Sequence, residues 1–318
     1  MTGARLSRGN LVRLLVLAMI WGASFLLMKL ALEGVSPMQI VLGRLSFGAL
    51  ALGLVLAVRR EPLPREPALW GHLLLMAVVA NIVPFYLFSW GEQHVTSGMA
   101  GVLNGTTPLF TLVFAMALLP AERLSGLRAL GLVTGFAGVV LVVGPWRSGG
   151  ENALAGQLAC LGAAACYGIS FTYTRRHISG RAAVLPLSVA QLAVAAGVLW
   201  LAAPVVAWTP VRLTPVVVGS VVALGAVGTG LAYALYYRLI HDAGATTASM
   251  VTYLIPVFAV SLGIVVLGEP LTWNLFAGAA VVILGVLVAD GRLARRGPAE
   301  CDSPVVDAPA ARADDDAA

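Results

Sequence analysis

Arg44 lies seven residues inside an unbroken apolar stretch, and Lys29, the chain's one lysine, sits near the end of another. A charge carried into a bilayer is costly and marks function by default. Arg44 is about 10 Å of helix rise from the start of its stretch, too deep to reach water along its own stem. Two roles stand for it: a buried structural charge, or contact with an anion. Lys29 also admits two readings. It is a functional charge, or it snorkels to the membrane surface, where Glu33, four residues on, offers a helical ion pair.

Polar and aromatic residues extend this candidate set. Pro108 and Pro256 interrupt two apolar stretches, with Asn104 and Thr107 flanking the first and Thr252 the second. Asn104 and Thr252 each stand four residues before their proline, on the same helix face as it. Paired interruptions at matching places point to a kink or gate around a central site; simple packing kinks are the plainer alternative. Trp21, Phe25 and Lys29 share one face of the first stretch, with Ser24 between them. Tyr86 and Trp90 are spaced by four, as are Tyr233 and Tyr237, and Tyr167 lies between these pairs in sequence. Such rings either enclose a small organic solute, with hydroxyls orienting it, or pack the helices.

The elements that position these residues are apolar throughout. The chain is 59% hydrophobic and 11% charged, with a mean hydropathy of +0.90. About 20 apolar residues cross a bilayer as a helix. Ten stretches fit: 11–31, 37–58, 69–90, 96–119, 128–144, 153–174, 185–207, 214–239, 245–267 and 272–291. Runs such as Val216-Val217-Val218 do not alternate, so helices are expected and a β-barrel is excluded. No carboxylate lies deep within a stretch, since Glu92, Glu269 and Asp290 all fall near ends. On that count the usual proton-coupling groups are missing, which leaves facilitated diffusion, exchange, or coupling through an unidentified group.

The second half repeats the first. Ala100, Pro108 and Phe110 recur 148 positions later as Ala248, Pro256 and Phe258. Glu122, Gly131 and Gly138 recur 147 positions later as Glu269, Gly278 and Gly285. Gly22-Ala23-Ser24-Phe25 returns as Gly168-Ile169-Ser170-Phe171. The fold expected is an all-α membrane protein of ten transmembrane helices in two inverted five-helix repeats, 1–147 and 148–291. Residues 292–318, basic and then rich in Ala, Pro and Asp, form a disordered tail. With both termini in the cytoplasm, Arg8, Arg13, Arg59, Arg60, Arg65, Arg175 and Arg176 gather inside, while Arg147 and Arg212 fall outside. The net charge of +5 follows from this topology and gives no reason to invoke nucleic acid.

Trp21-Gly22-Ala23-Ser24-Phe25, the Ala100–Pro108–Glu122–Gly131–Gly138 block and its second copy resemble EamA-type members of the drug/metabolite transporter superfamily. The resemblance implies a bacterial inner-membrane carrier, often an exporter of amino acids or other small metabolites. It also implies a pathway lined by the first, third, fourth, sixth, eighth and ninth helices. The candidate substrate-binding residues are therefore Trp21, Ser24, Phe25, Tyr86, Asn104, Thr107, Tyr167, Tyr233, Tyr237 and Thr252. Pro108 and Pro256 are the candidate gate, and Lys29 and Arg44 the buried charges. Glu122 and Glu269, in short turns at opposite membrane faces, are each expected to cap or anchor the helix that follows. The partners expected are a small-molecule substrate and the bilayer, for a monomer or homodimer. No cofactor, metal site or catalytic residue is expected. The alternative is a membrane-embedded lipid-handling protein or enzyme, but no His-Glu-x-x-His, paired intramembrane Asp or Cys–His cluster supplies its chemistry.

Overall fold

The computed structural model describes residues 7–119, 125–144, 146, 150–204 and 209–290, without the side chains of 150–152 and 245–246. Glu122 and the 292–318 tail lie outside the described residues. Among those described, all regular structure is helical. We label the helices α1 (Arg8–Ala31), α2 (Pro37–Arg59), α3 (Pro67–Gly91), α4 (Ser97–Leu118), α5 (Gly126–Val143) and α6 (Gly150–His177). The rest are α7 (Val184–Ala202), α8 (Pro215–Ala243), α9 (Ala245–Ala248 and Val251–Leu267) and α10 (Trp273–Ala289). The first eight are long and apolar enough to cross a membrane; Val251–Leu267 and Trp273–Ala289 are shorter apolar helices.

Local chemistry starts these helices where the sequence offers a hydroxyl. Ser36 and Gln39 form a reciprocal capping box ahead of Pro37, and Ser7, Thr96, Ser125 and Thr214 each accept a hydrogen bond from an amide of the first turn. Packing then inverts the pattern of a soluble protein. Val58, Leu201 and Val265 are 84%, 83% and 81% exposed, faces that only lipid covers favourably.

Helix contacts obey the repeat. The α1–α9 contact has its counterpart in α6–α4, α2–α8 in α7–α3, and α1–α8 in α6–α3. The α2–α7, α4–α9 and α5–α10 contacts each join a helix to its own repeat partner. The crossings match at residue level: a Cβ on Gly22 would lie 2.5 Å from Phe258 Cβ, and one on Gly168 would lie 2.8 Å from Phe110 Cβ. Each repeat thus presses a glycine of its first helix against a phenylalanine of the other repeat's fourth.

The α5–α10 seam is the most intimate. A Cβ on Gly285 would stand 2.2 Å from Gly135 N, and one on Gly131 would stand 2.3 Å from Ala289 N. With no hydrophobic drive between helices in lipid, such backbone approach supplies the association energy through van der Waals contact. Gly285→Ala is therefore expected to destabilise the protein by about 1–3 kcal/mol, read as a lower melting temperature in detergent. Gly197→Ala, where an added Cβ meets nothing within 4 Å, is expected to leave it unchanged or slightly raised.

Candidate functional site

Two polar pairs face each other across the halves. Arg44 Nε on α2 donates to Thr229 Oγ1 on α8 at 3.3 Å. Gln191 Nε2 on α7 donates to Asn81 Oδ1 on α3 at 2.6 Å. Gln191 stands 147 positions after Arg44, and Thr229 stands 148 after Asn81, so the two pairs are repeat copies. The chemistry differs between them. One copy holds a guanidinium and the other a neutral amide.

Both acceptors sit on widened, π-helical turns, Ala77–Ile82 in α3 and Ala223–Leu231 in α8. Pro84 explains the first, because its ring cannot donate to the preceding turn and the backbone relaxes around it. In the second, Thr229 Oγ1 donates to Leu224 O at 3.2 Å, a hydroxyl serving the loosened backbone.

Arg44 is 8% exposed, and among the described residues no carboxylate lies within ion-pairing distance of it. Its guanidinium carbon lies 3.9 Å from the Phe85 ring centroid and Nη1 lies 3.9 Å from Met28 Sδ. Tyr167, Tyr233 and, from further along α3, Glu92 are its electrostatic neighbours. Asn81, 1% exposed, keeps its Nδ2 without a hydrogen-bond partner beside Tyr233. This arrangement offers unspent donors in an enclosed place, the makings of an anion or carboxylate contact.

Aromatic rings surround these pairs. Phe25 meets Phe88 edge-on at 5.5 Å, and Phe88 lies 6.1 Å from Tyr167. On the other side Trp21 lies 5.4 Å from Tyr236, and Tyr233 and Tyr237 are 6.0 Å apart. Trp21 Nε1 donates to Gly228 O at 3.2 Å, while the Tyr237 hydroxyl hydrogen-bonds Ser188. The structure thus gathers Trp21, Phe25, Arg44, Tyr167, Tyr233 and Tyr237 from the sequence-based set. Three others are spent locally. Ser24 Oγ donates to Ile20 O at 3.1 Å, Thr107 Oγ1 to Asn104 O at 2.7 Å and Thr252 Oγ1 to Ser249 O at 2.7 Å. Tyr86 packs in the apolar cluster that α2, α3 and α7 share.

The prolines behave unequally. The fourth span is no continuous kinked helix: it breaks into Ser97–Asn104 and Thr107–Leu118, placing Pro108 in the first turn of the second piece. Proline cannot donate to Asn104 O, and the Thr107 hydroxyl takes that carbonyl instead. Pro256 stays inside its helix, and the break in α9 comes earlier, at Ser249–Met250. The break in α4 lies against Pro256, since a Cβ on Gly105 would lie 2.9 Å from Pro256 Cγ.

One end of the bundle corrects three sequence-based expectations. Glu92, the residue that ends α3, is 0% exposed, and neither carboxylate oxygen has a hydrogen-bond partner. Glu92 does stand at the end of its helix, but that end is enclosed against α6, where a Cβ on Gly91 would lie 2.7 Å from Cys160 Sγ. Half-buried Lys29 does not pair with Glu33. Its ammonium donates to Val95 O at 2.7 Å and to Glu92 O, so it ties α1 to the α3–α4 turn. Glu269 does not cap the helix that follows it. Its carboxylate accepts from Ser97 N at 2.7 Å, Ser97 Oγ at 3.0 Å and Gly98 N at 3.0 Å, capping α4 of the other half. At the opposite end Arg13 pairs with Asp242 and the Tyr253 hydroxyl donates to Asp290.

The family model of the EamA-like transporter family matches twice, over residues 10–144 and 154–289. The chain belongs to this family. Among relatives, the uncharacterized transporter YoaV of Bacillus subtilis is 26% identical over 288 residues, covering 87% of this chain and 95% of that protein. The uncharacterized inner membrane transporter YedA of Escherichia coli is 28% identical over 292 residues, covering 86% and 88%. A crystal structure of a protein 21% identical in sequence superposes with a TM-score of 0.65, covering 91% of this chain and 99% of the other, and shows the shared fold. The EamA chain described here is thus a multi-pass membrane transporter built from two repeats.

Glu269 generates a direct test of the contact between the halves. Glu269→Ala is expected to cost about 0.5–2 kcal/mol, the range for a lost helix cap. Glu269→Gln, which keeps one accepting oxygen, is expected to cost less. Thermal unfolding in detergent reads both, and equal stability of Glu269→Ala and wild type would remove the cap from the account.

Proposed function

We infer that this transporter carries small carboxylate-bearing organic solutes, amino acids foremost, out of the cytosol by alternating access. In this reading ten helices cross the bacterial inner membrane as two inverted halves with both termini cytoplasmic, and the halves rock around the Arg44–Thr229 and Gln191–Asn81 pairs. The observation that carries the solute class is the buried Arg44 guanidinium, close to a ring face and a hydroxyl but without a carboxylate. A desolvated cation of this kind is stabilised when an anionic group arrives, and a guanidinium suits a carboxylate in two-pronged geometry. Gln191 in the mirrored position supplies a neutral polar counterpart, and the tyrosines and Trp21 supply apolar walls with polar tips.

The asymmetric pair is what a solute with one charged and one polar end requires. Two arginines would favour a dianion, and two amides would leave the carboxylate unrecognised. The paired widened turns and the broken α4 lie in the helices that rocking must bend, and in α4 and α8 hydroxyls already serve freed carbonyls.

Uptake and counterflow of labelled L-amino acids in proteoliposomes test this reading. Saturable flux is expected, falling about 10- to 100-fold in Arg44→Gln, as loss of a hydrogen bond to a charged group implies. Arg44→Lys is expected to recover only part of it, because an ammonium lacks the planar fork. Flux of amino acids that is unchanged in folded Arg44→Gln would move the carboxylate contact elsewhere. Flux of neutral solutes alone would discard it.

A further inference from the structure

Glu92 is an acid whose ionised form has no partner in this conformation. Its side chain is fully enclosed and neither oxygen accepts a hydrogen bond. The charged and titratable groups that face it come from each neighbouring element: Lys29 on α1, Arg44 on α2, Cys160 on α6 and Glu269 in the turn between α9 and α10. None relieves the carboxylate directly. Lys29 directs two of its three donors to the carbonyls of Glu92 itself and Val95, and Arg44 faces Thr229 and Phe85. Glu269 turns its oxygens to three donors of α4 and not to Glu92.

An enclosed carboxylate without hydrogen bonds is among the costliest states a side chain can take, and a proton removes most of that cost. The ionised form nevertheless has a place within reach. Lys29 already touches the Glu92 main chain, and a turn of its flexible stem exchanges a carbonyl for the carboxylate. Two arrangements follow. In one, a neutral acid lies against a lysine bound to carbonyls; in the other, a carboxylate is paired with that lysine.

We propose that Glu92 is the proton-binding site of the transport cycle, carrying a proton in this conformation and releasing it when this end of the bundle admits water. The carboxyl O–H bond breaks with its electron pair retained on the carboxylate, the proton leaves to water, and the Lys29 ammonium meets the new charge. Lys29 and Glu269 bind the α3–α4 turn and the start of α4. Loss of the proton therefore redistributes contacts between α1 and the α3–α4 turn, beside the Glu269 cap that joins the two halves. The place of this proton in a cycle rests on the carrier reading above; its presence on Glu92 does not.

Infrared spectroscopy of the full-length protein in lipid nanodiscs tests the site without any solute. At neutral pH the wild type is expected to show the carbonyl stretch of a protonated carboxylic acid, lost in Glu92→Gln and kept in Glu269→Gln. An amide stands in for a neutral acid, so Glu92→Gln is expected to fold and to melt close to wild type. A wild type without the band, a band that survives Glu92→Gln, or a Glu92→Gln protein that does not fold would each overturn the proposal. In proteoliposomes, a pH gradient is expected to change the flux of the labelled L-amino acids in wild type, and the flux remaining in Glu92→Gln is expected not to respond. Equal responses would overturn the coupling. Absence of amino-acid flux in every protein would instead count against the solute class, with the infrared result still deciding Glu92.

Discussion

A bilayer offers no hydrogen bonds, so every backbone group that leaves its helical ladder must find a partner inside the protein. The irregular parts of this chain are set by that constraint. The widened turn of α8 and the break in α4 open carbonyls, and side-chain hydroxyls close them. Thr229 bonds Leu224 O, Thr107 bonds Asn104 O and Thr106 bonds Leu103 O. Lys29 does the same at the end of α3, for the Glu92 and Val95 carbonyls. The polar residues between the halves are therefore of two kinds. Some hold the backbone together, and the remainder, Arg44 and Asn81 above all, keep donors unspent.

The repeat gives this division its meaning. Duplication alone builds a symmetric frame, and the contacts obey it down to the Gly22–Phe258 and Gly168–Phe110 crossings. A symmetric frame permits two conformations that exchange the roles of its ends. A symmetric lining, however, cannot recognise the two different ends of one solute. Arg44 and Gln191 are where copies of the same position have diverged in charge, each still reaching an acceptor at the matching position on the other half's third helix.

Much of this was legible in the sequence, but unevenly. Helices, repeat and the importance of Arg44 followed from hydropathy and offset, because both are linear properties of the chain. Gln191 was within reach by the same offset, 147 positions from Arg44, and was missed because an amide in a span carries no alarm. Asn104, Thr107 and Thr252 stand out for lying near prolines; the Thr107 hydroxyl serves the carbonyl that Pro108 leaves open, and the Thr252 hydroxyl bonds Ser249 O at the break in α9. Glu92 was set aside for its nearness to a helix end. Depth in a membrane protein is measured to the nearest water, and that end is enclosed against α6. The partner of Glu269, 172 residues away in α4, is a fact of tertiary structure that no local motif announces.

The two ends of the bundle are held by different physics. At the Arg13 end an ion pair with side chains about 30% exposed joins α1 to α8. Water competes for such a pair and salt screens it, so it holds weakly. At the Glu92 end the contacts are enclosed: a carboxylate seated on the first amides of α4, an ammonium seated on carbonyls, and an acid with nothing to accept from. Charge-assisted bonds in a dry place are strong while they last, and expensive to half-break. Contacts of this kind answer to a change of charge, whereas the exposed pair answers to salt. In the alternating-access reading proposed above, that difference in burial is what lets the two ends open at different times without any difference in the helices themselves.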